Sequence, residues 1–384
     1  MSFLPWGNWK DVAVSLLRSV VARNAPLTEV DQAEQLFAII TPLLKDPDGT
    51  TREADEDGTE PPVDDQFKEE QVLVAKVVHL MQNDDTDVLL RIYVAARSKF
   101  INGGAQRIQF TLVPLVFAAL SLAKRVLAKE KAAETEQDVA PQYSSRKVFQ
   151  FVIEIVTAMA TSHPEISMKL FLQAAQAADA CNFSAIAYEF VKEGLLIYEC
   201  EISESKSQVR ALTAIVGTLL NCRNFPTEDY EALITKTAQY ANKLLKKPDQ
   251  CRMVTLCSHL FWPKDPPIVA DGEEEPAVHG TRYADCDRVL ECMQRSLKIA
   301  SVCNPNIFVE ILDRYIFYYE NNNPLIHVRY LSGLIALINE QIGSEDGGQA
   351  MGSAVKAHYR NTLEYIRNRQ RSPETSEKFS AIQL

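Results

Sequence analysis

The sequence predicts an all-α fold, a HEAT-like α-solenoid of antiparallel helix pairs, on three observations. Apolar residues recur three and four apart in nearly every segment and almost nowhere alternate. Helical stretches of about 15–20 residues follow one another across breaks of a few residues, which forces neighbours to run antiparallel. A helix-turn-helix unit of roughly 40 residues, stacked many times, is the plan of a HEAT array. The breaks fall at Asn102-Gly103-Gly104, Ser162-His163-Pro164, Asn182, Asn224-Phe225-Pro226, Asn304-Pro305 and Asn321 to Pro324. No crisp repeat consensus accompanies them, so the number of repeats stays open.

In chain order, leading solenoid helices are expected over 1–45. An acidic loop rich in Pro and Gly, DPDGTTREADEDGTEPPVDDQ, follows over 46–66. The main C-terminal α-solenoid runs over 67–370, interrupted by a second acidic insertion at 263–281, and 371–384 reads as a polar tail. Low hydrophobicity and high charge make both acidic segments excursions from the stack. FTLVPLVFAALSLA is apolar nearly all round, as suits a helix covered on several sides, and its Pro114 marks either a kink or a late start. In TEDYEALITKTAQYANKLLKKPDQ, Ile234, Ala238, Ala241 and Leu245 share one helix face. Thr227 is the expected cap, Glu228 and Asp229 occupy the first turn, Lys246 and Lys247 suit the C-terminal end, and Pro248 stops the helix. In PNIFVEILDRYIFYYEN, the stripe is Phe308, Ile311, Leu312, Tyr315 and Tyr319, with Glu310 and Arg314 as an i,i+4 pair on the far side.

Composition narrows the function. The 384 residues are 46% hydrophobic and 24% charged, with a net charge of -11. An acidic chain with no basic block is repelled by phosphate backbones, so no nucleic acid is expected as partner. No apolar run of some 18 residues free of charge occurs, so no direct membrane insertion is expected. The first residues lack a basic stretch followed by an apolar one, so no signal peptide is expected either. Eight cysteines without a secretory signal read as reduced thiols in a cytoplasmic setting.

A search for chemistry returns little. The six histidines are scattered, without HExxH, and no CxxC pair occurs. Cys251 and Cys257 lie near His259, but residues six apart on a helix face different ways, so no metal is expected there. INGGAQR reads as a turn, and DPDGTTRE has the wrong ligand spacing for an EF-hand. No Ser-His-Asp or Cys-His set can be assembled, so neither an enzyme nor a cofactor is expected.

The segment CRMVTLCSHLFW stands out. Read as one helix over 251–262, it puts Met253, Leu256, Cys257 and Leu260 toward the core and Arg252, Thr255, His259 and Trp262 on a second stripe. A tryptophan beside histidine, arginine and threonine suits neither a dry core nor a plain solvated face. Trp and Arg are enriched where proteins bind one another. Two readings stay open for Trp262: packing on the adjacent repeat, or a partner surface. Phe317, on a face with Glu310, Asp313 and Arg314, raises the same question.

Seven stretches in order, IQFTLVPLVFAA, AYEF, YECEISESKSQ, KLLKKPDQ, HLFW, FVEILDRYIFYYE and NTLEYIRNRQRSPE, resemble the C-terminal half of the vacuolar protein sorting-associated protein 35 family, the large solenoid subunits of retromer. The likeness runs from about Gln66 to Glu374. It implies a non-catalytic scaffold in an endosomal coat, peripheral on endosomal membranes, that supports retrograde endosome-to-Golgi cargo transport. It implies binding of the metallophosphoesterase-like subunit, vacuolar protein sorting-associated protein 29, through the family's HLFW segment, here His259, Leu260, Phe261 and Trp262. The residue pattern agrees on His259 and Trp262, sends Leu260 inward and leaves Phe261 open; Arg252 and Thr255 join the candidate set from the stripe.

The resemblance further implies weak homodimerisation through charged surfaces. Lys243, Lys246 and Lys247 supply a basic strip, and Glu189, Glu193, Glu199, Glu201 and Glu204 an acidic one. Their plainer reading is lysines answering a helix dipole and glutamates in water. Sorting nexins and the WASH actin-nucleation complex are further partners the family suggests. The arrestin-like subunit 26 binds a Pro-Arg-Leu-Tyr-Leu motif that this sequence does not contain, so it is not expected here. The competing reading is a generic helical-repeat scaffold or transport receptor for another protein, which would explain the helices and acidity but not the seven stretches.

Overall fold

The computed structural model describes residues 5–46, 64–135, 139–263, 283–303, 305–343 and 352–384. The chain divides into two compact units, Met1–Ile202 and Ser203–Leu384, where the sequence reads as one solenoid over 67–370. Both units are helical stacks. Among the described residues there is no β-strand, and the single isolated bridge joins Leu27 to Met81.

The first unit contains α1 (Trp6–Ala22), α2 (Val30–Ile39), α3 (Thr41–Leu44), α4 (Asp65–Leu80), α5 (Thr86–Phe100), α6 (Ala105–Thr135), α7 (Ser145–Ala160), α8 (Pro164–Ala180) and α9 (Ser184–Glu201). Sequence neighbours pack on one another: α5 on α6, α6 on α7, α7 on α8 and α8 on α9. The expected breaks fall where expected. Gly104 takes φ 81° and Asn182 φ 61°, backbone that Gly and Asn tolerate best. Gly103 is tighter still, because a Cβ there would lie 2.7 Å from the Leu44 carbonyl oxygen. The core is built on aromatic edges, with Phe37 against Phe100 and Phe149 against Phe183 and Phe190.

The structure refines three readings in this unit. Asp64 caps α4 by accepting from the Phe67 amide at 2.6 Å, so the helix begins inside the span read as acidic loop. Residues 47–63 of that loop, DPDGTTRE included apart from Asp46, lie outside the described residues. Asp46 itself receives both Arg107 Nη1 and Nη2, at 2.8 and 2.7 Å. The helix α6 is long and apolar enough to cross a membrane by length and composition. It is nevertheless a core helix, with Leu112, Leu115, Val116, Ala119 and Ala123 fully buried and with α4, α5 and α7 packed on it. Pro114 sits within its continuous span and so marks no late start.

The second unit contains α10 (Ser205–Asn221), α11 (Thr227–Asn242), α12 (Lys247–Cys257), α13 (Cys286–Ala300), α14 (Asn306–Glu320), α15 (Val328–Gly343), α16 (Ser353–Arg371) and α17 (Ser376–Phe379). Again neighbours pack: α10 on α11, α11 on α12, α12 on α13, α13 on α14 and α14 on both α15 and α16. Here α11 stops at Asn242, earlier than the pattern predicts. Leu245 falls in the following turn and is 87% exposed instead of sharing the face of Ile234. Pro226, not Thr227, is the N-cap residue, and Pro248 opens α12, where a missing amide costs nothing.

The segment read as a polar tail docks. Phe379 is 1% and Ile382 3% exposed, Phe379 meets the Tyr319 ring at 5.4 Å, and Gln370 donates to the carbonyls of both Phe379 and Ile382. A few apolar residues set among polar ones leave no periodic signal, which is why composition alone misreads it. The insertion at 263–281 lies outside the described residues apart from Pro263.

Candidate functional site

The segment 251–262 is not one uniform helix. Lys247–Cys257 is α-helical, and Ser258–Phe261 tightens to a 3-10 turn. Each residue in that turn advances about 120° rather than 100°, and residues three apart eclipse. Trp262 lies just past the turn at φ -147°, its amide donating to the His259 carbonyl at 3.2 Å. Both are half-buried. Leu260 and Phe261 are fully buried and act as plugs. Their carbonyls are tied down, Leu260 O accepting from Tyr230 Oη at 3.0 Å and Phe261 O from the Asp285 amide at 2.9 Å. Arg288 lies over the Phe261 ring at 4.7 Å. The turn is thus rigidly anchored while presenting His259 and Trp262 at its edge.

Thr255 departs from the expected stripe. It is buried, its hydroxyl donating to the Cys251 carbonyl at 2.8 Å and meeting Ser296 Oγ of α13 at 2.9 Å. Packing of α13 covers that side of α12, so Thr255 fixes a helix pair rather than an outer face. Leu256, placed in the core by the pattern, is only half-buried.

The two outer stripes read separately from the sequence meet in space. Arg252 grips Glu310 of α14 in a bidentate pair, at 2.8 Å from Nε and 2.9 Å from Nη2, so Glu310 is engaged across helices instead of by Arg314 one turn along. Both partners are about half exposed, so the pair adds at most about 1 kcal/mol. The His259 ring contacts Phe317 edge-on at 4.9 Å between centroids and Tyr318 at 5.4 Å. Tyr318 is fully buried and shares a 2.7 Å hydrogen bond with Ser258. Burial, with the Arg314 guanidinium adding to it, lowers the His259 pKa to about 4, so the ring is neutral near pH 7. Phe317 also borders a groove of about 410 Å³ between α14 and α16. Asp313 lines it, accepting from Thr362 at 2.9 Å and lying 2.7 Å from His358 Nε2. Two contacts, Arg252 with Glu310 and His259 with Phe317, thus join the α12 segment to α14.

The Cys251 thiol is pushed up to about 12 by burial, its Sγ lying 3.3 Å from the Ser296 carbonyl, and burial also raises Cys257. Among the described residues no group of three His, Cys, Asp or Glu side chains is placed to hold a metal ion.

The charged candidates lie on different units. Glu189, Glu193, Glu199 and Glu201 belong to α9 of the first, and Glu204, Lys243, Lys246 and Lys247 to the second. Glu189 pairs with Lys192 at 3.0 Å. Glu204 caps α10, accepting from the Ser207 amide at 2.6 Å and hydroxyl at 2.7 Å, which holds its carboxyl below the usual range. Lys243, Lys246 and Lys247 are exposed, with Lys247 Nζ 2.9 Å from Gln250.

A stack of antiparallel helices presenting an anchored, half-polar face defines a helical scaffold. The comparisons with known proteins supply the family. The family model for vacuolar protein sorting-associated protein 35 matches residues 1–341, and the chain belongs to that family. The match begins well before Gln66, so the leading helices are part of the family's own sequence. The chain is 35% identical to vacuolar protein sorting-associated protein 35B of Arabidopsis thaliana, over 100% of this chain and 47% of that protein. It is 31% identical to vacuolar protein sorting-associated protein 35 of Schizosaccharomyces pombe, over 87% and 37%, and 29% identical to that of Dictyostelium discoideum, over 96% and 45%. The chain spans about half the length of the curated relatives it matches.

Proposed function

We propose that the chain is the scaffold portion of a retromer large subunit, non-catalytic, working in the cytoplasm on endosomal membranes in retrograde endosome-to-Golgi transport. Its second unit holds the metallophosphoesterase-like subunit, vacuolar protein sorting-associated protein 29, on the face made by Arg252, His259, Trp262 and Phe317. Leu260 and Phe261 support that face from beneath. The observation that carries the reading is the His259–Phe317 contact, which joins two half-buried rings from separate elements beside an anchored turn. A neutral ring of this kind can be covered by a partner without the cost of stripping water from a charge.

Homodimerisation through Lys243, Lys246 and Lys247 against Glu193, Glu199 and Glu201 belongs to the same proposal. The three lysines stand exposed on the second unit, as such a contact needs. Exposed charges are screened, so this pairing weakens with salt. Sorting nexins and the WASH complex are proposed as further partners of the assembled coat.

The test is an isothermal titration of the chain with the purified metallophosphoesterase-like subunit, parent beside His259→Arg. The substitution sets a permanent, bulky cation next to Arg314 at a site the partner covers, and binding is expected to fall by several kcal/mol with helicity unchanged. Equal binding by both proteins moves the interface off this face. Absence of binding by either leaves the scaffold without this partner.

A further inference from the structure

The loop from α14 to α15, together with Lys378 of the docked segment, borders a recess of about 610 Å³. Its wall includes Asn322, Asn323, His327, Val328, Arg329 and Lys378, and among the described residues no carboxylate lines it. In a chain of net charge -11, two cations gathered without an acid are a local reversal of sign. The Arg329 guanidinium stacks over the Tyr330 ring at 5.0 Å and donates to the Tyr330 hydroxyl at 3.3 Å. Lys378 Nζ donates to the Glu320 carbonyl at 3.1 Å and to Asn322 Oδ1, and it lies over the Tyr319 ring at 5.1 Å. The Glu320 carboxylate is taken by Arg369 at 3.0 Å and by the Tyr365 hydroxyl. Burial accordingly lowers the Lys378 pKa, with the Glu320 charge offsetting part of that shift.

Two further features point the same way. Val328, on the wall, opens α15, and the first turn of that helix carries no acidic residue. No side chain of the turn answers the positive end of the helix dipole or its unbonded amides. Asn323, also on the wall, is only 3% exposed. Its Oδ1 accepts from the Leu325 amide at 3.0 Å, and its Nδ2 has no partner. The Leu325 donor fixes which atom is the oxygen, so the orphan is a donor. Leaving a buried donor unmet is costly, and an acceptor held in the recess removes that cost.

We infer that this recess binds a phosphate group, carried either by a small soluble phosphate or by a lipid headgroup. Two cations, an orphan amide donor and a helix start suit an acceptor with two negative charges and several oxygens. A carboxylate, with one charge and two oxygens, would leave part of that set unused. Arg329 offers a fork for two phosphate oxygens, and Lys378 a point charge for another. None of the residues named for the His259 face lines this recess, so the two sites can be tested apart.

The experiment titrates the full chain with inorganic phosphate and with inositol hexakisphosphate by calorimetry. In parallel, the chain is floated with phosphatidylcholine vesicles that contain or lack a phosphatidylinositol phosphate. Binding of a soluble probe assigns the site to free phosphates, and binding to the phosphoinositide vesicles alone assigns it to a headgroup. Either affinity is expected to fall about tenfold or more with Arg329→Gln and with Asn323→Asp. Asn323→Asp keeps the acceptor for Leu325 and replaces the orphan donor by an oxygen that repels the anion. Should it unfold, Arg329→Gln, on an exposed side chain, decides alone. Arg360→Gln removes the same charge from an exposed position on α16 outside the recess and is expected to change nothing. Absence of binding to every probe, affinity indifferent to Arg329→Gln, or an equal loss with Arg360→Gln, the mark of unspecific attraction, would each overturn the inference.

Discussion

The rings of His259 and Phe317 meet edge to face at 4.9 Å, although one lies in the 3-10 turn after α12 and the other in the last turns of α14. Each is half-buried, and Phe317 also walls the groove that holds Asp313 and His358. The contact therefore links the turn to the α14–α16 surface and makes Phe317 as much a part of the candidate face as His259.

Phe317→Ala is accordingly expected to weaken binding of the metallophosphoesterase-like subunit by about 2 kcal/mol, the scale of an aromatic at the centre of an interface. The cost to stability should be smaller than the roughly 3–5 kcal/mol of a buried Phe→Ala change, because the ring is only half-buried. Titration calorimetry beside a thermal melt separates the two. A large drop in melting temperature with unchanged affinity would assign Phe317 to the stack alone.

How much of this face the sequence displays can be judged residue by residue. The 3.6 period exposes the stripe Arg252–His259 and the stripe Glu310–Phe317, since each is a local property of one helix. Their meeting is tertiary and leaves no local trace. The i,i+4 rule offers Arg314 to Glu310, yet Arg252 takes it in two hydrogen bonds from another helix. Phe261 stays open in the sequence because nothing there announces that the helix tightens at Ser258, which brings Phe261 round to the side of the buried Ser258. Leu245 departs from the pattern for a similar reason: lysines and a proline suit the end of one helix and the start of the next equally well, and the boundary falls before Lys243. Fold class and most breaks were legible, because Gly, Pro and Asn mark them chemically.

His259 makes stability depend on pH with a definite sign. Its pKa is about 4 in the folded chain against an ordinary 6.5, so the unfolded chain binds the proton first as pH falls. The contribution of the neutral ring is complete above pH 6.5, declines as pH drops from 6.5 to 4, and changes no further below. The slope approaches 1.4 kcal/mol per pH unit only if the ring is wholly shielded, so the half-buried ring gives less. Urea melts of the parent and His259→Phe at several pH values check this. The difference between the two proteins should change by a few kcal/mol at most across that window, and parallel curves would mean the ring is as accessible folded as unfolded.

Thr255→Val tests the correction to the stripe. The substitution keeps the shape and removes a hydroxyl that bonds the Cys251 carbonyl and Ser296 Oγ. A loss of about 1 kcal/mol in stability is expected, with no change in partner affinity. Reduced affinity without loss of stability would return Thr255 to the interface.

The docked segment after α16 makes the strongest prediction for stability. Phe379 is buried against Tyr319, Tyr319 Oη donates to the Lys378 carbonyl, and Lys378 Nζ donates to the Glu320 carbonyl at 3.1 Å. The Gln383 amide reaches Ser332 Oγ of α15 at 3.0 Å, so the segment bridges α14, α15 and α16 rather than trailing from one of them. Phe379→Ala should cost roughly 3–5 kcal/mol, and deletion of 373–384 more, because it also bares the apolar edge of α14. Both should lower the melting temperature of the isolated second unit, or of the full chain if the unit does not fold alone. Melting that ignores Phe379→Ala would mean the segment lies on the stack without stabilising it, and the polar composition of 371–384 would then describe its behaviour after all.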